Sequence, residues 1–298
     1  VPGREHLKIL IVTDEWKPQV NGVVTTLEML GQELTAMGHQ VRYATPQGRF
    51  SVPLPTYPEI RLAIFPRDGL EKTIREFAPD AVHIATEGTM GMSARALCIK
   101  HGIEFTTAFH TRYPEYVHTR FPFISESWVW WWEKWFHSKG VATMARTPAM
   151  KRELEAHGFK NVRLWEGGVD VERFRPIPDA TLPYPKPIFL YVGRASIEKN
   201  IEAFLRLDLP GTKVVVGPGP ARESLARKYP DVKFLGPKSG EELVRAYAAS
   251  DVNVFPSLTD TFGLVMLEAL ACGTPVATFP REVMLDVVGN CPAAALDE

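Results

Sequence analysis

The chain has 298 residues, 45% hydrophobic and 23% charged, the balance of an ordinary globular protein with material for two compact domains, which excludes disorder. Its 34 Lys and Arg face 35 Asp and Glu, a formal net charge of -1, so no global field draws in nucleic acid or holds the whole molecule on an anionic membrane. Three cysteines, Cys98, Cys272 and Cys291, are odd in number and outside any CxxC spacing, which argues against a disulfide framework and a zinc site and predicts a reducing, cytoplasmic setting.

The opening VPGREHLKILIV holds a short apolar run after charged residues, too short for a signal segment, and no later stretch approaches the length needed to cross a bilayer. Apolar runs rich in Val and Ile then recur between amphipathic segments: Leu10 to Val12, Val41 to Ala44, Leu62 to Phe65, Ala81 to Ala85, Phe105 to Phe109, Val141 to Met144 and Val162 to Trp165. Near-continuous apolar strands alternating with helices predict a parallel sheet covered on both faces. Val23, Leu27, Leu30, Leu34 and Met37 keep helical spacing, so a helix should open at Asn21-Gly22 and close at Gly38.

From Pro176 to Pro187 the sequence PIPDATLPYPKP reads as a stiff, extended linker, because proline cannot sit in a central strand. A second series of strands follows at Ile188 to Val192, Lys213 to Val216, Val232 to Leu235, Val252 to Phe255, Pro275 to Phe279 and Ala293 to Leu296. The fold class predicted is α/β, with two Rossmann-like doubly wound domains, 1–175 and 188–298, joined by linker 176–187 and facing across a cleft. Ligands of open parallel sheets bind beyond the carboxyl ends of the strands, so the loops there should carry the chemistry.

After the first strand of the second series stands Gly193-Arg194-Ala195-Ser196-Ile197-Glu198-Lys199-Asn200. Two cations and backbone N–H groups before a helix suit a diphosphate, and a solvated charged loop fits those residues equally well. Farther on, the stretch from Phe255 to Val276 reads as a buried strand, a polar loop, an apolar helix, a glycine cap and a new strand. Asp260 lies in that loop, placed either for a ligand or as an N-cap. Glu268 sits two turns into the helix among Met266, Leu267, Ala269 and Leu270, where an acid needs a partner.

These segments resemble the family-4 glycosyltransferases, a retaining family of GT-B fold, over essentially the whole chain. The most specific element is the acid-x7-acid motif, Asp260 to Glu268 in TDTFGLVMLEALACGTPV, followed by GRASIEKN and then VNGVVTTLEMLGQELTAMGH. The resemblance implies that Arg194 and Lys199 hold a donor diphosphate, that the Gly22 loop offers it backbone N–H groups, and that Glu268 accepts hydrogen bonds from the ribose. It assigns Asp260, with the Gly263-Leu264 backbone, to the transferred sugar, and makes His110 of Phe109-His110-Thr111-Arg112 the active-site histidine at the reacting carbon. It implies retention by front-face displacement, with no metal and no cofactor, and the chain shows no Asp-x-Asp motif. The donor expected is a UDP-sugar, then GDP-mannose.

The HTRYPEY stretch looks most like the branch of the family that glycosylates membrane lipids, implying a lipid acceptor and a peripheral place on the cytoplasmic membrane face. Arg112 stands where many relatives have an acid, and suits an acidic sugar, a lipid phosphate or a pairing with Glu115. In Ser127 to His137, residues 128, 131, 132, 135 and 136 are aromatic and share one helical face, which predicts a packed core face. Trp130 falls on the other side with Glu133, Lys134 and His137, so Trp130 and Lys134 are the residues placed to dip into a headgroup region.

The sequence also departs from the family pattern. Asp260 is one methylene shorter than the usual Glu, Gly167 precedes Gly168-Val169-Asp170 where relatives often have Arg or Asn, and the last residues, Ala295 to Glu298, fall where relatives continue into further helices. These departures also permit a non-catalytic nucleotide-sugar binder of the same fold. An NAD(P)-dependent oxidoreductase would need a G-x-G-x-x-G turn, and Gly217-Pro218-Gly219-Pro220 lacks its last glycine.

Overall fold

A computed structural model describes residues 6–19, 21–54 and 57–296, with the side chains of residues 54 and 57–60 not described. The chain divides into two compact units, Val1–Trp165 and Glu166–Glu298.

The first unit runs β1 (Lys8–Val12), α1 (Gly22–Ala36), β2 (Gln40–Ala44), β3 (Ser51–Leu54), β4 (Tyr57–Ala63), α2 (Arg67–Phe77), β5 (Ala81–Ile84), α3 (Thr89–His101), β6 (Phe105–Ala108), α4 (Tyr113–Arg120), α5 (Glu126–His137), β7 (Ala142–Ala145), α6 (Pro148–Ala156) and β8 (Val162–Leu164). Six strands form one parallel sheet in the order β2-β1-β5-β6-β7-β8. β1 shows why the strands are apolar throughout. Leu10 and Val12 enter a core with Val82, Ile84 and Phe136, while Ile11 points the other way into a cluster with Leu27 and Ala85. α1 opens as the sequence predicts: the Asn21 side chain accepts the Val24 N–H at 2.9 Å. Met37 closes it, and Gly38 follows at φ +90°, a left-handed position suited to glycine.

The run from Leu62 corrects one expectation. It does not join the parallel sheet; β4 pairs with β3 in a separate antiparallel hairpin, Val52 opposite Leu62 and Ser51 opposite Ala63. A short connection permits only the antiparallel arrangement, since a parallel pair needs a long crossover.

The second unit runs β9 (Ile188–Val192), a 3-10 turn (Ile197–Lys199), α7 (Ile201–Leu205), β10 (Thr212–Val216), α8 (Arg222–Lys228), β11 (Lys233–Gly236), α9 (Gly240–Ala248), β12 (Val252–Phe255), α10 (Leu264–Ala271), β13 (Val276–Thr278), α11 (Glu282–Val288) and β14 (Ala294–Leu296). All six strands are parallel, in the order β11-β10-β9-β12-β13-β14. The proline-rich stretch has no helix or strand, and its end is held to this unit: the Thr212 N–H donates to Pro187 O at 2.9 Å and its hydroxyl to Pro185 O at 2.8 Å. Both units are therefore doubly wound, Rossmann-like α/β domains. In each, the order reverses direction at one place, between β1 and β5 and between β9 and β12, where such sheets take ligands.

Candidate active site

In the second unit the loops leaving β9 and β12 flank that reversal, and they carry the two sequence motifs. The strands are neighbours, with Phe189 beside Val252. Sixty-one residues apart in sequence, Lys199 and Asp260 meet there, Lys199 Nζ to Asp260 Oδ1 at 2.5 Å, with side chains 22% and 17% exposed. Two further bonds hold the loops together: Asn200 Nδ2 donates to Pro256 O at 3.0 Å, and the Thr259 hydroxyl to Glu198 O at 3.2 Å. Asp260 is not an N-cap, because Gly263 fills that position of α10 at φ +76°. A side chain at 263 would be strained there, and its Cβ would lie 2.7 Å from Met266 Cε.

In the same two loops, polar capacity is left over. The Ser196 and Ser257 hydroxyls and Asp260 Oδ2 are buried and make no hydrogen bond among the described residues. Both serines went unnoticed in the sequence, where nothing distinguishes them from loop serines. The Arg194 loop is braced from β10: the Ala195 N–H donates to Pro218 O at 2.7 Å, and Gly217 and Gly219 pack so tightly on this loop that a Cβ on either would clash with its backbone. The Arg194 carbonyl takes the Tyr191 hydroxyl at 2.8 Å. The helix-dipole expectation weakens, because Asn200 adopts a left-handed conformation that separates the 3-10 turn from a five-residue α7.

Glu268 is 6% exposed on α10, and its partner is Tyr247 of α9, whose hydroxyl donates to Oε2 at 2.8 Å. Burial raises its carboxyl above the ordinary range, opposed by that hydrogen bond and by Arg173. Tyr247 was not legible as its partner, since it reads as one more apolar residue of an amphipathic helix.

In the first unit Gly22 is the first residue of α1, with open space where a Cβ would stand, and Asn21 before it also donates to Glu15 Oε2 at 2.6 Å. At the sheet reversal the buried Asp14 accepts from the N–H groups of Met90 at 2.8 Å and Gly91 at 3.2 Å and from the Thr86 hydroxyl at 3.0 Å, tying the β1 loop to the start of α3. His110 follows β6 and meets the Trp165 ring edge-on at 6.0 Å; His83 also meets that ring edge-on, at 5.9 Å, and the Arg146 guanidinium lies 5.1 Å over Trp165. Burial pushes His110 down to about 3, with Arg146, His83 and His137 adding to the effect, so its imidazole is neutral. Arg146, itself buried and lowered to about 10, and His83 escaped the sequence reading because each stands on or after a different strand.

Arg112 pairs as one sequence expectation had it, and more fully. It bonds Glu115 and forms a two-pronged contact with Glu153, at 2.8 and 2.6 Å. The expectation for α5 reverses. Trp130 is buried, stacked on His157 at 3.8 Å and parallel to Phe109 at 5.9 Å, and Glu133 and His137 are buried beside it. Trp128, Trp131 and Trp135 are instead 62%, 57% and 40% exposed; of the aromatic stripe only Phe136 is fully buried. Lys134 is exposed, as expected. The reversal has a physical cause. His137 Nε2 lies 3.2 Å from Glu133 Oε2 and 3.4 Å from Glu87 Oε1, and Nδ1 is 2.7 Å from the Thr107 hydroxyl, so partners on β6 and before α3 draw the polar side inward. Glu87, Glu133 and His137 are also, among the described residues, a group whose ligand atoms lie close enough to share a metal ion. Their separations are those of an imidazolium held by carboxylates, and His137 is held up at about 9.

Two Rossmann-like domains, the second with charged loops at its sheet reversal, are the architecture of the GT-B glycosyltransferases. A family model described as Glycosyltransferase Family 4 matches residues 20–173, and one described as Glycosyl transferases group 1 matches 175–292. The chain belongs to Glycosyltransferase Family 4. It is 29% identical to the GDP-mannose-dependent alpha-mannosyltransferase of Mycobacterium tuberculosis (strain CDC 1551 / Oshkosh), over 93% of this chain and 81% of that protein. It is 31% identical to the sulfoquinovosyl transferase SQD2 of Arabidopsis thaliana, over 81% of this chain but half of that one. Among solved structures, sucrose-phosphate synthase from Thermosynechococcus elongatus superposes with a TM-score of 0.75 at 24% identity, over 92% of this chain and 82% of that one.

Proposed function

We propose that the chain transfers a hexose from a nucleoside diphosphate sugar to an acceptor hydroxyl with retention of the anomeric configuration. The observation that carries this is the Lys199–Asp260 contact, in which the motifs GRASIEKN and TDTFG meet at the reversal of the second sheet. A diphosphate offers Lys199 a stronger anionic partner than one carboxylate, and Arg194 adds a second cation. Asp260, released from Lys199, then accepts a sugar hydroxyl, with the Gly263-Leu264 backbone beside it, and Glu268 accepts from the ribose.

His110 serves the reacting carbon. As a neutral imidazole it donates a hydrogen bond to a sugar hydroxyl and so positions the ring, without placing a positive charge beside the anomeric centre as positive charge grows there. The acceptor oxygen bonds to that carbon, the bond to the phosphate oxygen breaks on the same face, and the acceptor's proton passes to the departing phosphate. Arg194 and Lys199 supply the charge compensation, so no metal is needed for the step.

For the donor, the relative from M. tuberculosis, named as GDP-mannose-dependent and matched over most of both chains, favours GDP-mannose over the UDP-sugar that motif reading put first. A lipid hydroxyl as acceptor, with the chain peripheral on a membrane, rests on the HTRYPEY stretch. Arg112, already bonded to Glu115 and Glu153, shapes that region rather than contacting the acceptor. Among the described residues no helix is long and apolar enough to cross a membrane.

Calorimetric titration with GDP and with UDP, each with and without Mg2+, tests the reading. Tight binding of GDP alone, indifferent to Mg2+, supports it, and tight UDP binding restores the other donor. If neither nucleotide binds, the donor site is misassigned; if one binds but no labelled hexose is transferred, the chain is a binder rather than an enzyme.

A further inference from the structure

α5 presents two faces that chemistry would have placed the other way round, and on its outer face the Trp128 and Trp131 rings are more than half exposed. Trp128, Trp131 and Trp135 recur at spacings of three and four, so their rings stand in one stripe, 62%, 57% and 40% exposed. Beside the helix, in the segment that enters it, Phe121 and Phe123 pack edge to face at 5.9 Å and are 41% and 84% exposed. Five large exposed aromatic side chains thus fall between residues 121 and 135, more than the scatter of single apolar residues that soluble surfaces carry.

The helix cannot roll to hide them. Its inner face is pinned by the His137 contacts with Glu133 and Glu87 and by the stack of Trp130 on His157. Arg95 of α3 fixes the outer face too, its guanidinium 4.0 Å over the Trp135 ring while it donates to the Trp135 and Phe136 carbonyls at 2.9 and 2.8 Å. A rigid aromatic stripe loses little side-chain freedom on docking.

Charge selects the occupant. By helical spacing Lys134 falls next to the stripe and Glu126, in the first turn, on the opposite side; Lys139 follows two residues past the helix, and all three are exposed. Twelve residues span about 18 Å at 1.5 Å each, too short to cross a bilayer and suited to lying along it. Indoles favour the headgroup boundary, and lysines beside them favour anionic lipid.

We propose that the Trp128–Trp131–Trp135 face, with Phe121 and Phe123, is the surface by which the chain docks on an anionic lipid bilayer. The proposal deepens the lipid-acceptor reading above and rests on it for its purpose, but not for its test. Binding is read by co-sedimentation with vesicles of phosphatidylcholine, with and without phosphatidylglycerol, and by quenching of tryptophan fluorescence with brominated lipid. The expected result is that the chain binds the anionic vesicles and is quenched. The double variant Trp128→Ser/Trp131→Ser, which alters only exposed rings and should keep wild-type nucleotide affinity, loses vesicle binding by about tenfold or more. Lys134→Glu/Lys139→Glu abolishes the preference for anionic vesicles.

Equal vesicle binding by the double variant, or failure of the wild type to bind or be quenched, overturns the proposal. So does a wild-type dimer that the same double variant converts to monomer, which would make a second copy the occupant. The two readings fail separately: vesicle binding without transfer to any lipid removes the lipid acceptor and keeps the docking face, while transfer to lipid in detergent micelles without vesicle binding does the opposite.

Discussion

The two sheets reverse direction in the same way, between their first strand and the strand that begins their second half, yet the two reversals are closed differently. In the first unit Asp14 is 4% exposed and takes its hydrogen bonds from Thr86, Met90 and Gly91. In the second, Asp260 and Lys199 are each about a fifth exposed, and one Asp260 oxygen has no hydrogen-bond partner among the described residues. A carboxylate satisfied by its own backbone braces a fold, whereas one held by a single lysine can exchange it for a ligand. The first unit's candidate residue His110, with Arg146 and Trp165 about it, lies farther along the sheet, beyond β6, β7 and β8.

The contrast can be broken by substitution, and the largest effect expected is on turnover. His110→Ala should lower kcat by about 100- to 1,000-fold, the usual cost of removing one preorganised donor from a transition state, with nucleotide affinity unchanged. A parallel loss of nucleotide affinity would place His110 in donor binding instead. Asp14→Ala should destabilise the fold by about 3 kcal/mol, because three buried donors lose their acceptor, and should leave the nucleotide Kd alone; denaturant unfolding alongside calorimetry checks both. Lys199→Ala should leave stability nearly untouched and weaken nucleoside diphosphate binding by about 10- to 100-fold, the loss of one charge-assisted hydrogen bond. Equal affinity in this variant would remove Lys199 from donor binding.

How much of this could be read beforehand depended on whether the cause was local. Strand positions followed from short apolar runs, and the opening of α1 from Asn21, since both rest on neighbours in sequence. The sharing of one helical face by Trp128, Trp131 and Trp135 was equally local. Which face turned inward was not, because Glu87 and Thr107, far away in sequence, decide it. The two motifs were legible as separate loops, and the Lys199–Asp260 contact joins them as adjacent parallel strands allow. Tyr247 as the partner of Glu268, and the buried hydroxyls of Ser196 and Ser257 in the same loops, had no local signal at all.

The smallest effect expected concerns the buried cluster that turned α5. Burial alone would push the His137 imidazole down, but hydrogen bonds and the fields of Glu133 and Glu87 more than reverse this and hold it at about 9, while burial and Glu133 push Glu87 up to about 7. Both groups therefore bind protons more tightly in the folded chain than in the unfolded one, where the ordinary values are 6.5 and 4.5. Stability linked to them must fall as pH rises. The histidine's share is fully present below its unfolded value and disappears as pH passes through about 9. The melting temperature should decline between neutral pH and pH 10, by a few degrees per kcal/mol lost. Glu133→Gln, which keeps the shape of the side chain and removes one counter-charge, should lower the His137 value and move that decline toward neutral pH. Thermal melts of the two proteins across this range give the answer. Curves that stay parallel would mean the three side chains share hydrogen bonds without an ion pair, and the inward turn of α5 would then rest on the Trp130 stack and on packing alone.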